Sequence, residues 1–230
     1  MTDKQSLHLY SADDSSIQPR RLPVQARSRE RVERILDAAA QLLTEQGYNS
    51  VKTNTIAKRA GVPIGSVYQF FPNRYAIFNA LASRYQTRVA EILSESLSPD
   101  ALQDTPWDEA LASVIDVLAT MWREDWAFHS VWLAIQNTAE LQEADLLFRE
   151  EVIDSILVAF LKRVIPGIDE HQQQTIARIM FETTNLLLDN SMRRNAKQDE
   201  LLVDELKFLL HSYLSAHLTS ASNLSDEPPY

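Results

Sequence analysis

Residues 61–71 read GVPIGSVYQFF, a stretch without one charged side chain, set between NTIAKRA at 54–60 and PNRYAIF at 72–78. Gly61 can end the short helix before it, and a further short helix follows the glycine. The stretch therefore reads as the corner between two short helices. Upstream, Ser28 can cap a longer helix whose apolar face runs Val32, Ile35, Leu36, Ala39, Leu42 and Leu43 and stops at Gly47; Thr53 can cap the short one that Gly61 ends. Downstream, Pro72 and Asn73 restart the chain into a long helix carrying Ile77, Phe78, Leu81, Tyr85, Val89 and Leu93. A long helix followed by two short ones across a tight glycine corner is a helix-turn-helix arrangement.

Charge supports a polyanion as partner for this corner. The chain carries a net charge of −10, yet residues 20–90 hold twelve Lys and Arg against four Asp and Glu, a local +8. Residues 91–230 hold −16. Cations provide attraction to phosphate without regard to sequence, while a neutral turn provides close fit. Gly65 and Ser66 are small enough for approach to a groove, Val62 and Val67 are expected to face inward, and Tyr68 has a ring to pack and a hydroxyl to offer a phosphate.

The remainder of the chain is also helical in pattern. Only four glycines occur, and no Asn-Gly or Asp-Gly hairpin joins alternating runs. Helical segments are expected at about 107–125, 127–137, 140–165, 169–195 and 199–218, which makes an all-α chain of about nine helices. The expected organisation is a disordered arm over 1–26, a helix-turn-helix domain over 27–73, a linking helix over 73–97, a larger helical domain over 74–218 and a flexible tail over 219–230. There is no cysteine, so disulfides and thiolate metal sites are excluded. The N-terminus lacks the basic start and apolar core of a signal peptide, and no run of about 18 uncharged apolar residues suggests a membrane span. A soluble, cytoplasmic protein without membrane contact is the expectation.

From ILDAAAQLLTEQGY through TIAKRAGV to GSVYQFF and a charged opening to the next helix, about residues 28–82 resemble the DNA-binding domain of the tetracycline-repressor (TetR) family. The resemblance implies a one-component transcriptional regulator, in particular a repressor. Carried over by position, Thr53 would contact phosphate and Asn54 could reach a base. Ile64, Gly65, Ser66 and Gln69 would lie on the groove face of the second short helix, with Tyr68 and Arg74 holding the backbone; Phe70 is a further candidate on the DNA side, and core packing is the other reading for Phe70 and Tyr68. Phe70 stands where many members have a histidine, and Pro63 and Ile64 replace commoner polar residues. Gln69 and Asn54 then remain as bidentate readers of adenine.

In the larger domain, aromatic residues crowd one region, Trp107, Trp122, Trp126, Phe128 and Trp132, with Met121 among them. Trp122, Trp126 and Trp132 could line a cavity, with His129 and Gln136 as polar handles; Phe148, Phe181, Thr184 and Asn185 are further candidates. Taken singly, each ring is more readily read as filling a core, and the resemblance favours a pocket for the group. The resemblance implies a small-molecule effector, expected to be apolar or aromatic, and no cofactor or metal. Two long apolar stripes follow. Ile179, Thr183 and Leu187 belong to one, and Leu202, Leu206, Leu209, Leu210 and Tyr213 to the other. The resemblance implies that these pair with their copies in a homodimer, which would present two recognition helices to pseudopalindromic double-stranded operator DNA. Ligand would then favour a conformer in which the 73–97 helix swings and the half-site spacing is lost.

A helical enzyme and a protein-interaction scaffold without DNA binding are the alternatives. His129 lies near Glu124 and Asp125, and His171 follows Asp169 and Glu170, but no phosphate loop, nucleophile elbow or zinc-protease motif occurs. His211 and His217 fall on different faces of a helix, which opposes shared metal ligation. A scaffold would leave the confined +8 without a use.

Overall fold

The computed structural model describes residues 26–191 and 196–225, so residues 1–25 of the expected N-terminal arm and the last five residues of the expected tail lie outside the described residues; Ala26 opens the first helix, and residues 219–225 of that tail continue the last one. Every regular element among them is helical: α1 (Ala26–Gln46), a 3-10 turn (Tyr48–Ser50), α2 (Thr53–Ala60), α3 (Ile64–Phe70), α4 (Arg74–Ser96), α5 (Ala101–Asp104), α6 (Trp107–Glu124), α7 (Trp126–Gln136), α8 (Ala139–Glu151), a wider π turn (Val152–Leu157), α9 (Val158–Val164), α10 (Glu170–Ser191) and α11 (Ala196–Ser225). The expected helix at 140–165 is thus one continuous run with a π turn inside it. The four-residue α5 was not foreseen. Helix starts differ slightly from expectation: α1 begins at Ala26, before Ser28, and Thr53 is the first residue of α2 behind Lys52 rather than its cap.

Contacts gather the chain into two units. Among the described residues, one comprises residues 26–87 together with Ala127–Phe148; the other comprises Arg88–Trp126 and the described residues from Arg149 onward. This grouping places the first part of α4, all but the first residue of α7 and most of α8 with the helix-turn-helix, where the sequence boundary had been drawn at residue 73. Side chains account for it. Tyr85 of α4 meets Phe128 of α7 edge to face, ring centres 5.4 Å apart, and Gln86 of α4 donates to the Asp145 carboxylate of α8 at 2.8 Å.

Within the first unit, Ile35, Leu36, Leu42 and Leu43 of α1 pack with Ile56 of α2, Val67 and Phe70 of α3, and Ile77, Phe78 and Leu81 of α4, all buried. Ionic ties hold the helices from outside. Arg59 of α2 donates to both carboxylate oxygens of Glu45 on α1, at 2.8 and 2.7 Å. Hydrogen bonding from Arg59 holds the Glu45 carboxyl below its ordinary range, so this tie is present above that range and fades as pH falls through the lowered value. Arg84 of α4 reaches Asp37 at 2.6 Å and Glu33 at 3.2 Å on α1. Burial opposes its charge, but the hydrogen bond and charge of Asp37 and the hydrogen bond of Glu33 prevail and raise its pKa.

Gly61 ends α2, as expected. Gly61 sits at φ 64° and ψ 35°, in the left-handed region. The Val62 amide donates to the Ala57 carbonyl at 3.1 Å and the Gly61 amide to Lys58 at 3.3 Å, closing the end of α2, while the Val62 side chain is buried. A Cβ at Gly61 would meet no neighbouring atom, so the demand for glycine is conformational rather than steric. Gly61→Ala should therefore cost about 1–2 kcal/mol through backbone strain alone. Urea titration followed by circular dichroism checks this as a lowered midpoint with an unchanged slope.

Candidate nucleic-acid interface

Packing sorts α3 into two faces. Val67 is 0% and Phe70 4% exposed, whereas Ile64 is 38% and Tyr68 44% exposed. Gly65 and Gln69 are also exposed, and Ser66 is partly so. On α2, Asn54 is exposed and Thr53 half-buried. Residues expected at the groove therefore share the outer surface of the corner, with one exception. Phe70 packs inside the unit, and a ring so covered has no surface to give to a DNA backbone. Its position in α3, three residues after Val67, puts it on the inward side.

Two small features shape this surface. A Cβ built on Gly65 would meet nothing within 4 Å, and its backbone is ordinary, so neither crowding nor strain inside the chain requires glycine there. What the missing side chain provides is room outside. Arg74, at the start of α4, lies with its guanidinium carbon 5.2 Å from the Tyr48 ring centre and 5.1 Å from that of Tyr75. Such contacts orient a long side chain without neutralising it. Tyr48 in turn tilts against Phe78 at 5.0 Å, and burial pushes its phenol pKa upward.

The cations divide by task. Arg59 and Arg84 are engaged with α1 carboxylates, as above, while Lys52, Lys58, Arg27, Arg29 and Arg34 are exposed. The local +8 thus overstates what is presented outward at the corner.

The expected ligand-binding residues are distributed over both units. His129, Trp132, Gln136 and Phe148 belong to the first; Trp122, Trp126, Phe181, Thr184 and Asn185 to the second. Trp122 is 2% and Trp126 60% exposed, so neighbours in sequence have opposite environments. The break at Asp125, with φ −96° and ψ 84°, separates them. Phe148 and Phe181 are buried, with Arg149 above the Phe181 ring at 6.0 Å and paired with Glu182 at 3.2 Å. Asn185 donates to the Phe181 carbonyl of its own helix at 3.0 Å. His129, Trp132 and Thr184 are half-buried and Gln136 is exposed. A different set lines a groove of about 540 Å³ between α4 and α6: Arg88, Ile92, Ser113, Asp116, Val117, Thr120, Met121, Glu124 and Asp125. Sequence reasoning missed it; an exposed valine on a polar helix face, Val117 at 43%, is the signal that could have pointed there.

On α10 and α11 the apolar stripes are also split. Leu206 and Leu210 are 0% and 1% exposed within the single chain. With Val203 and Leu214 they form the inward face of α11, which packs on α6 and α10. They are core residues, and placing them at a surface between copies is corrected by that burial. Leu209 and Ile179 are exposed; Leu202, Thr183, Leu187 and Tyr213 are half-buried. More exposed still are Leu186 at 61%, Leu201 at 62% and Phe208 at 68%, which sequence reasoning overlooked. The pairs 179/186 and 201/208 are two turns apart, each along one side of its helix, a spacing that was visible in the sequence.

Comparison with known proteins follows the same division. Residues 35–81 match the family described as bacterial regulatory proteins, tetR family, and residues 105–218 the tetracyclin repressor-like C-terminal domain. A TetR-family transcriptional regulator from Streptomyces coelicolor superimposes with a TM-score of 0.62 at 32% identity, over 82% of this chain and 99% of that one. The chain belongs to the TetR family. The fatty acid metabolism regulator protein of Bacillus subtilis is 31% identical over 134 residues, 58% of this chain. The matched part spans 63% of that relative, a little under two thirds of its length. The fatty acid degradation regulator FadR from Bacillus halodurans shares the fold, with a TM-score of 0.63 at 21% identity over 78% of this chain and 94% of that one. Among the described residues, no helix of this TetR-family chain is long and apolar enough to cross a membrane.

Gly65→Ala separates the fold from the interface. Alanine is the better helix former and meets no neighbour, so thermal stability should hold or rise slightly. Affinity for a preferred duplex should nonetheless fall severalfold, read by fluorescence anisotropy. Loss of stability together with loss of binding would contradict this account of Gly65.

Proposed function

We propose that the protein is a homodimeric, cytoplasmic transcriptional repressor that binds a pseudopalindromic operator and leaves it when a small apolar or aromatic molecule binds the helical domain. The observation that carries this reading is the exposed, neutral face of α3 beside exposed lysines at positions 52 and 58, in a chain of the TetR family. In such a corner the second helix enters the major groove, and the surrounding cations contact phosphate. Thr53, Tyr68 and Arg74 are the proposed backbone contacts, Asn54 and Gln69 the proposed base readers, and Ile64, Gly65 and Ser66 complete the proposed groove face.

Dimerisation would use the exposed side of α10 and α11, with Ile179, Leu186, Leu201, Phe208 and Leu209 supplying the apolar surface. Leu202, Thr183, Leu187 and Tyr213 would border it. For the effector, the proposed residues form two separate groups, His129, Trp132, Gln136 and Phe148 in the first unit and Trp122, Trp126, Phe181, Thr184 and Asn185 in the second. The Bacillus subtilis relative is named for fatty-acid metabolism, which adds fatty acids to the aromatic probes worth testing. Residues Arg74–Thr87 of α4 belong to one unit and residues 88–96 to the other, so the helix offers a covalent route between effector and operator. Coupling of about 1–3 kcal/mol is typical of such linkage.

Selection from a random duplex pool, followed by titration at several salt concentrations, tests the DNA reading. Affinity should fall steeply and linearly with salt on logarithmic axes. Arg74→Ala should weaken all duplexes alike, while Gln69→Ala should relax preference at one position by about 1–3 kcal/mol. An enriched sequence that Gln69→Ala leaves equally preferred would remove Gln69 from the readers.

Sedimentation of two variants tests the dimer. Phe208→Asp should preserve helical ellipticity and thermal stability but shift the protein toward monomer and weaken operator binding. Leu206→Asp should instead destabilise the helical domain by at least about 3 kcal/mol, because it buries an unpaired charge in the chain's own core.

A further inference from the structure

Most of what α3 shows to solvent is apolar. Ile64 and Tyr68 are one turn apart on the same side, 38% and 44% exposed, and Gly65 between them leaves open space. Neither side chain is needed to fill the unit, since Val67 and Phe70 already cover its inward side. An isoleucine kept on the outer surface of a basic corner loses nothing by staying wet and gains when an apolar partner covers it. The patch is far too small to seat a protein, because docking surfaces span several hundred square ångströms of contiguous apolar area. It suits a single methyl-sized group.

Resting on the proposed placement of α3 in the major groove, we infer that Ile64 reads thymine through its 5-methyl group. Among the four bases, thymine alone presents a methyl group in that groove, so an apolar contact there discriminates as a hydrogen bond does elsewhere. Gly65 lets the helix come close enough for the isoleucine to cover that methyl. Gln69, exposed on the next turn, adds a donor and an acceptor for an adenine edge. The half-site this face selects has a thymine whose exchange for uracil weakens binding, although the two pair identically.

The test uses the full chain and the duplex enriched from a random pool, with each thymine of one half-site replaced in turn by uracil. At one position the exchange should weaken binding roughly fourfold, the value of one buried methyl. Making the exchange in both half-sites should multiply the loss. Ile64→Ala should weaken binding to the thymine duplex, yet bind the thymine and uracil forms nearly equally, so the two losses do not add. Ile64 is exposed, and circular dichroism confirms that the variant stays folded. Discrimination that survives Ile64→Ala overturns the assignment to this residue. If a preferred duplex tolerates uracil everywhere, methyl reading is wrong while α3 can still be the recognition helix. Should no duplex be preferred at all, the placement of α3 in the groove fails and this inference with it.

Discussion

The left-handed backbone at Gly61 sets the direction in which α3 leaves α2. Two amide bonds close the end of α2 around it, and the buried Val62 pins the turn from below. Once that direction is set, Val67 and Phe70 can enter the core only if Ile64, Gly65, Tyr68 and Gln69 point outward. Helical periodicity permits no other division of a seven-residue helix. The surface proposed to meet DNA is thus the remainder left by a packing solution, and the packing solution hangs on one residue without a Cβ.

Electrostatics in the first unit serve two purposes that a count of charges merges. Arg59 and Arg84 bind α1 carboxylates and stiffen the three-helix frame. Exposed pairs of this sort contribute little individually, yet both Arg84 contacts and the two-pronged Arg59 contact bridge different helices, which favours a single arrangement of the frame. The exposed lysines at 52 and 58 are left to generate the field outside. A neutral recognition face between cations follows naturally: attraction needs charge nearby, whereas fit needs its absence at the point of contact.

In the second unit, burial rather than composition assigns the roles. Leu206 and Leu209 both belong to the stripe on α11, and both are leucine. One is 0% exposed against α6 and α10 and the other 45% exposed. Trp122 and Trp126 differ in the same way across the break at Asp125. Apolar periodicity says that a helix has a buried face, but a helix with apolar residues on two sides leaves open which side its own chain will cover. That ambiguity is why Leu206 and Leu210 were expected at a surface between copies and why Leu186, Leu201 and Phe208 were passed over.

By itself, the sequence determined the all-α class, the helix-turn-helix corner and the inward Val62 and Val67, while its resemblance to the TetR family placed Gln69 and Asn54 outward. These are local matters: helical period, glycine conformation and the order of motifs all act over a few residues. Tertiary structure alone decided that Phe70 is core, that α7 and most of α8 pack with the helix-turn-helix, and that a groove lies between α4 and α6. Each of those depends on which distant helix covers a given face. Tyr85 meeting Phe128, or Gln86 meeting Asp145, joins residues more than forty positions apart. No periodicity within either segment records its partner, because the free energy of such contacts exists only when both faces are assembled.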